Sequence, residues 1–431
     1  MATVPQTTPC HISGEDDHDS PSQPFDGILL LLAGVLMTLG VVMVYSASVT
    51  VRGAELDYRQ WWDTPLRQCV FALAGFFGML LAAHCGYRWL TWEKPHEVWR
   101  VGLLYLLALM VLVLVQFVGR EVLGARRALV VLHSPFTLSF QPAELAKIVM
   151  VIWLAALLTR MQVRSAQHPA GAALGIRNLG SGFLPAMLSA GLLIALTGLE
   201  DFGTAALMAV LAGGMLILGG ACWRHLLGAG LVGLVGGVGL VLLKPYRLQR
   251  IIDWWMGNPD PRAGGYQIDQ SMLAIGSGGW FGRGLGAGVQ KYGYLPQKDN
   301  DFILATICEE LGVVGGIVVV VLFLLFLWRG FQVARNAADP FGRLLASGLT
   351  LLICLQAAFN VAVVTNSVPT KGISLPFVSS GGSGVVFLGL SAGLLASIGY
   401  GQRLRPPKVT PAQPTVRHTP AGGSQGKARD R

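Results

Sequence analysis

Apolar residues along this chain come in unbroken blocks rather than in alternation with polar ones. Blocks of roughly 18 to 25 residues recur, each long enough to cross the hydrocarbon core of a bilayer as a helix. The period-two alternation of a membrane β-barrel is not seen. About ten spans are predicted, at 27–48, 66–84, 99–118, 142–159, 183–198, 203–220, 225–243, 302–328, 344–364 and 384–400. The fold class expected is an all-α polytopic membrane protein. Its main polar interruption is the long segment 244–301, between the seventh and eighth spans. Two tails, 1–25 and 401–431, are rich in Pro, Ser, Thr, Gly and charge and are expected to be disordered, leaving 26–400 as the membrane domain.

Composition agrees with a life in lipid: 53% of residues are hydrophobic and 13% charged, against about 25% charged in soluble domains. The first block follows an acidic tail (Glu15, Asp16, Asp17, Asp19) with no basic start or early cleavage site, so it is expected to be a retained span. The C-terminal tail is basic, and the positive-inside rule then puts both ends in the cytoplasm. Arg88 and Lys94, Arg160 and Arg164, Arg224, and Arg329 and Arg335 fall on the same side. That topology exports 244–301 with Lys244, Arg247, Arg250, Arg262, Arg283, Lys291 and Lys298, against the usual bias. Either a long loop tolerates the charge, or the cations face a polyanion such as phosphate on a lipid headgroup. Arg120, Arg126 and Arg127, in the exported connection before the fourth span, add to that surface. Nucleic acid is not the partner this arrangement suggests. The six cysteines are scattered without metal-ligand spacing and are expected to be packing residues.

Within the long loop, Leu248, Ile251, Ile252 and Trp255 recur at helical spacing, with Arg247 and Arg250 on another face. This predicts a short helix over 247–256, either in the membrane interface or on an ordinary surface. The glycine-rich run 276–288 lacks the strand and the Lys-Ser/Thr of a nucleotide loop, and instead suggests close approach of backbone to something bulky. Asp301 opens an apolar helix, where a carboxylate commonly caps. Glu144 and Lys147 share one helix face, and Glu309 and Glu310 lie inside the eighth span. Ionisable groups at such depth usually pair or line a cavity. Glu144–Lys147 is expected to lock helices, whereas Glu309 or Glu310 would meet a buried cation or conduct protons.

Several segments, in order, resemble the SEDS family (shape, elongation, division and sporulation) of peptidoglycan polymerases. They are Gly124-Ala125-Arg126-Arg127, Gln141-Pro142-Ala143-Glu144-Leu145-Ala146-Lys147, Glu200-Asp201-Phe202-Gly203-Thr204, and Gly265-Tyr266-Gln267 with Gln270-Ser271. They continue with Ala274 to Gly279, Asp301-Phe302-Ile303, Glu309-Glu310-Leu311-Gly312, Leu375-Pro376-Phe377 and Ser379 to Ser383. Gln290-Lys291 and Pro369-Thr370-Lys371-Gly372 are closer to the division members than to the elongation members. The resemblance implies an inverting glycosyl transfer at the outer face of the bacterial cytoplasmic membrane, with lipid II as acceptor and a glycan on undecaprenyl pyrophosphate as donor. It places the family's aspartate at Asp301, as general base. Arg127, Arg250, Gln270, Ser271, Lys291 and Lys371 become the expected substrate contacts, and Glu144, Lys147, Asp201, Glu309 and Glu310 the intramembrane set. A divalent cation (Mg or Mn) would share the stabilisation of pyrophosphate. A class B penicillin-binding protein and the divisome are the partners implied, and the division septum the site of action. Three departures stand out: Asp299-Asn300 replace the family's usual His-Thr, Ala128 a tryptophan and Ser380 a tyrosine. A lipid II flippase, an elongation-type polymerase and a non-catalytic scaffold for a transpeptidase are the alternatives.

Overall fold

The computed structural model describes residues 25–48, 58–90, 98–122, 125–132, 138–167, 175–243, 245–256, 265–290 and 300–400. Both tails, and with them the expected disorder, lie outside the described residues. Each predicted span falls on a helix. These are α1 (Gly27–Ser48), α2 (Tyr58–Cys85), α3 (Val98–Val118), α4 (Pro142–Gln167), α5 (Leu184–Glu200), α6 (Phe202–Leu218) and α7 (Trp223–Leu242). The long loop contributes α8 (Pro245–Met256) and α9 (Gly265–Gly278), and the last three spans are α10 (Ile303–Asn336), α11 (Pro340–Val364) and α12 (Ser383–Tyr400). Among the described residues eight helices are long and apolar enough to cross a membrane, while α6 and α12 are shorter apolar helices. The protein is an all-α, multi-pass membrane protein.

One addition was not expected. Between α3 and α4 the chain forms a small antiparallel sheet, β1 (Arg120–Val122), β2 (Ala125–Leu132) and β3 (Leu138–Phe140), in that order. The valine-rich stretch is too short to span lipid, so its backbone pairs with its neighbours instead. Its register sets Glu121 opposite Arg126.

The two ends of the bundle can be told apart by their polar contacts. At one end, Asp26 before α1 accepts from Arg329 of α10 at 2.8 Å, and its amide donates to Ala396 O of α12 at 3.1 Å. Tyr87, just past α2, donates to Asp339, which also N-caps α11 through Gly342 N. Both ends of the membrane domain therefore leave the bundle together. At the other end, α10 is broken at Gly312, with φ 78° and ψ 176°. Counted at about 1.5 Å per residue, Ser46 of α1 and Asn360 of α11 both stand roughly 30 Å from the Asp26–Asp339 end. The first part of α10 touches Asn360 at its start and Ser46 through Glu310. Ile303–Leu311, about 13 Å long, thus bridges laterally from α11 to α1 at the far membrane face.

The segment between α11 and α12, residues 365–382, is the other irregular element, re-entrant because its middle turns back into the bundle. Leu375, Phe377, Val378 and Ser379 are all buried although their backbone is not helical. Val378 packs so tightly on α1 that a Cβ at Gly40 would lie 2.7 Å from its backbone. Irregular backbone at this depth must be satisfied by protein, since lipid offers no partners. Side chains from two helices do this: Gln356 Nε2 and Asn360 Nδ2 of α11 donate to Ser374 O and Ile373 O, and Gln68 Nε2 of α2 to Ser379 O.

Candidate functional site

The expected residues sort into those that gather at the far end of the bundle and those that brace it from within. Asp301 is partly exposed, one residue before the N-cap position of α10, which falls on Phe302. It therefore does not occupy the capping position that sequence alone suggested. Its backbone is fixed from two directions. Asn360 Nδ2 donates to Asp301 O at 2.8 Å, and Ser379 Oγ donates to Asn300 O at 2.7 Å.

Lys371 approaches the same region from the re-entrant segment. Its carbonyl accepts from Ile373 N, and Ile373 O shares the Asn360 amide with Asp301. Its ammonium sits 4.4 Å above the ring of Phe202, within the range of a cation–π contact. Arg247 lies 5.9 Å from the same ring. Asp201, next to Phe202, accepts from Thr204 N at 3.1 Å and from Thr204 Oγ1 at 2.9 Å, so it is the N-cap of α6. The Glu200–Thr204 motif and the Pro369–Gly372 motif are thereby brought face to face.

Helix α8 is oriented differently from a simple amphipathic surface helix. Arg247 is buried and donates to Leu199 O at 2.9 Å and Leu240 O at 3.1 Å. It neutralises the carbonyl ends of α5 and α7 together, where a cation is favoured. Trp254 donates to Asn366 O beyond α11. Arg250 lies between these two on the helix and is partly buried. Trp255 and Met256 point outward, 80% and 75% exposed, as a helix lying in the membrane interface requires.

The other expected contacts differ in burial. Ser271 is fully buried and donates to Val364 O, joining α9 to α11 rather than presenting a surface. Gln270 beside it is partly buried. Arg127 lies on β2, and its side chain is outside the described part. Lys291 and Asp299 lie outside the described residues, as do Lys244, Arg262 and Lys298.

Glu309 and Glu310, expected to meet a buried cation or conduct protons, both accept hydrogen bonds from the glycine turn. Glu309 Oε1 accepts from Val289 N at 2.7 Å and Gln290 N at 3.2 Å. Glu310 Oε2 accepts from Gly286 N at 3.1 Å and from Ser46 Oγ. The break at Gly312 is stitched by the same loop. Arg283 N and Gly284 N donate to the carbonyls of Glu309 and Glu310, while Val313 N and Val314 N donate to Gly279 O and Trp280 O. The bulky object that the glycine run approaches is therefore the backbone of α10. A Cβ at Gly282 would fall 2.2 Å from Glu310 O.

Glu144 and Lys147 form a buried pair at 2.8 Å, and Lys147 also donates to Gln356 Oε1 at 2.6 Å. Through the Lys147–Gln356 bond the pair ties α4 to α11. Gln141 N donates to Ser383 Oγ, closing the same contact onto α12.

Sequence reasoning missed Gln356 and Asn360. The signal was present, since two amides four residues apart lie on one face of an otherwise apolar span, and polar groups in lipid are rarely idle. Among the described residues no three His, Cys, Asp or Glu side chains come together as a metal site.

A family model described as a cell cycle protein, covering FtsW, RodA and SpoVE, matches residues 27–404. A probable peptidoglycan glycosyltransferase FtsW of Geobacter sp. (strain M18) is 40% identical over 379 residues, 87% of this chain and 96% of the relative. Stage V sporulation protein E of Bacillus subtilis (strain 168) is 36% identical over 377 residues, covering 86% and 96%. Among solved structures, a chain of a peptidoglycan synthase complex coordinating polymerization and crosslinking superposes with TM-score 0.65 at 26% identity, covering 88% of this chain and 99% of that one. The rod shape determining protein RodA of Thermus thermophilus gives TM-score 0.59 at 25% identity, covering 89% and 98%. Matched along its whole membrane domain, in sequence and in fold, the chain belongs to the FtsW–RodA–SpoVE family, the SEDS family that its motifs resemble.

Proposed function

We propose that this chain is a peptidoglycan glycosyltransferase that polymerises lipid II at the outer face of the cytoplasmic membrane, with both termini cytoplasmic, and that it serves septal synthesis during division. The observation that carries the reading is the meeting of Asp301 with cation-bearing segments at one end of the bundle. Asp301 and the Lys371 segment share a hydrogen-bond donor, and α8, which carries Arg250, is tied to the end of α11 by Trp254, one turn further along. The names of the relatives support the reaction class, and the greater likeness to FtsW relatives supports the division role.

In this reading Asp301 removes the proton from the 4-hydroxyl of the acceptor GlcNAc as its oxygen attacks the MurNAc anomeric carbon. The anomeric bond to the donor pyrophosphate breaks, and undecaprenyl pyrophosphate leaves with the electron pair. Lys371 and Arg250, with Arg127 and Lys291, stabilise the negative charge that grows on it. Holding both lipid-linked substrates in the membrane plane lowers the entropic cost of bringing them together. The partner in this reading is a class B penicillin-binding protein transpeptidase within the divisome. A flippase reading leans on the buried charges, and these are bonded within the protein at Glu144, Lys147, Glu309 and Glu310.

Purified protein, with and without its cognate transpeptidase, should convert lipid II to glycan polymer, and Asp301→Asn should not. Polymer at the wild-type rate from Asp301→Asn would remove the base assignment. Movement of lipid II headgroups without polymer would favour the flippase.

A further inference from the structure

We propose that Asn360 is a positioning residue for glycosyl transfer, because its one buried amide fixes the segment carrying Asp301 against the segment carrying Lys371. The proposal rests on the reading of Asp301 as base given above. Asn360 sits one turn from the outer end of α11 and is completely buried. Both protons of its Nδ2 are used, one to Asp301 O and one to Ile373 O, each at 2.8 Å. The opposite amide orientation would set its oxygen against two carbonyls, so the assignment follows from the partners.

The two segments reach this point independently. Asp301 enters from the long exported loop, whereas Ile373 belongs to the re-entrant segment, 72 residues later in the chain (373 − 301). Lys371 lies two residues before Ile373 and is tied to it by the Ile373 N to Lys371 O bond of 3.0 Å. Ser379 also holds the aspartate's neighbour, Asn300, but from the far limb of the re-entrant segment. The base and the cation that faces the leaving group are thus referenced to a single side chain. A displacement of about 1 Å between reacting groups can cost roughly a hundredfold in rate. That is the scale on which loss of this amide should act.

A purely structural amide would look similar in the fold, so the test needs a comparator. Gln356, one turn deeper on α11, is equally buried and holds Ser374 O of the same segment, but does not touch Asp301. Purified Asn360→Ala and Gln356→Ala are compared with wild type by lipid II polymerisation kinetics and by thermal unfolding in the same detergent. Asn360→Leu, which fills the space without a donor, replaces the alanine variant if that is not recovered folded. The expected result is a fall in kcat of about 10- to 100-fold for the Asn360 variant, with KM for lipid II within about threefold. Gln356→Ala should keep kcat within about threefold of wild type even where its unfolding midpoint falls as far. Wild-type kcat in the Asn360 variant, or equal losses in both variants that track their unfolding midpoints, would overturn the proposal. Asp301→Asn is run beside them. If it is inactive while the Asn360 variant is fully active, only the positioning role fails; if it polymerises normally, the base reading fails and the proposal with it.

Discussion

Single side chains at the far end of the bundle have separable jobs, and the separation can be measured. Phe202 carries no chemistry of its own, yet its ring lies 4.4 Å below the Lys371 ammonium. Contacts of this kind are worth about 0.5 to 2 kcal/mol. Phe202→Ala should lower polymerisation several-fold, and Phe202→Tyr, which keeps the ring face, should restore it. An unchanged rate in Phe202→Ala would mean that Lys371 is held by other contacts. Arg247 differs in kind, because it is buried and donates to two helix-terminal carbonyls. Each charged hydrogen bond contributes about 1.5 to 3 kcal/mol, so Arg247→Met should lower the unfolding midpoint clearly. Arg247→Lys should lower it too, since one ammonium cannot reproduce the guanidinium fork.

At the scale of elements, the broken helix α10 and the glycine turn are one unit. The break leaves two carbonyls and two amides without helical partners, and the turn supplies four hydrogen bonds to them. Gly282, at φ +80°, lies where any Cβ would collide with Glu310 O. Gly282→Ala is therefore expected to unstitch the turn and destabilise the protein by several kcal/mol, an order drawn from the cost of unpaired buried polar groups. Gly276→Ala is the matched control, because a Cβ there meets nothing within 4 Å. It should be neutral, or stabilise the helix slightly by about 0.5 to 1 kcal/mol. Equal unfolding midpoints for the two variants would contradict the stitched arrangement.

Across the whole molecule, one end is a structural clasp and the other carries the proposed site. In the clasp, burial and the hydrogen bond to Asp339 push the Tyr87 phenol above its ordinary 10.0. Because the fold holds this proton more tightly than the unfolded chain does, its contribution is complete below pH 10 and is lost as pH rises further. The stability gap between wild type and Tyr87→Phe should be constant from pH 7 to about 9 and narrow above about 10. A gap that widens with pH in that range would reverse the sign and refute the assignment.

What the sequence determined by itself was the class of molecule, the helical segments and the identity of the family. Continuous apolar blocks are a local property, read from consecutive residues against the thickness of a bilayer. The Glu144–Lys147 pair was legible for the same reason, since three residues on a helix define one face. What only the tertiary structure decided were the pairings between distant segments. Nothing local marks Gly312 as a break, or shows that Glu309 and Glu310 receive the backbone of the glycine turn. Nor does local pattern place Asn360 between Asp301 and Ile373, or turn the arginine face of α8 inward. Those outcomes follow from the need to satisfy every buried polar group inside a medium that offers none of its own. Which donor meets which acceptor is then settled by how the helices pack.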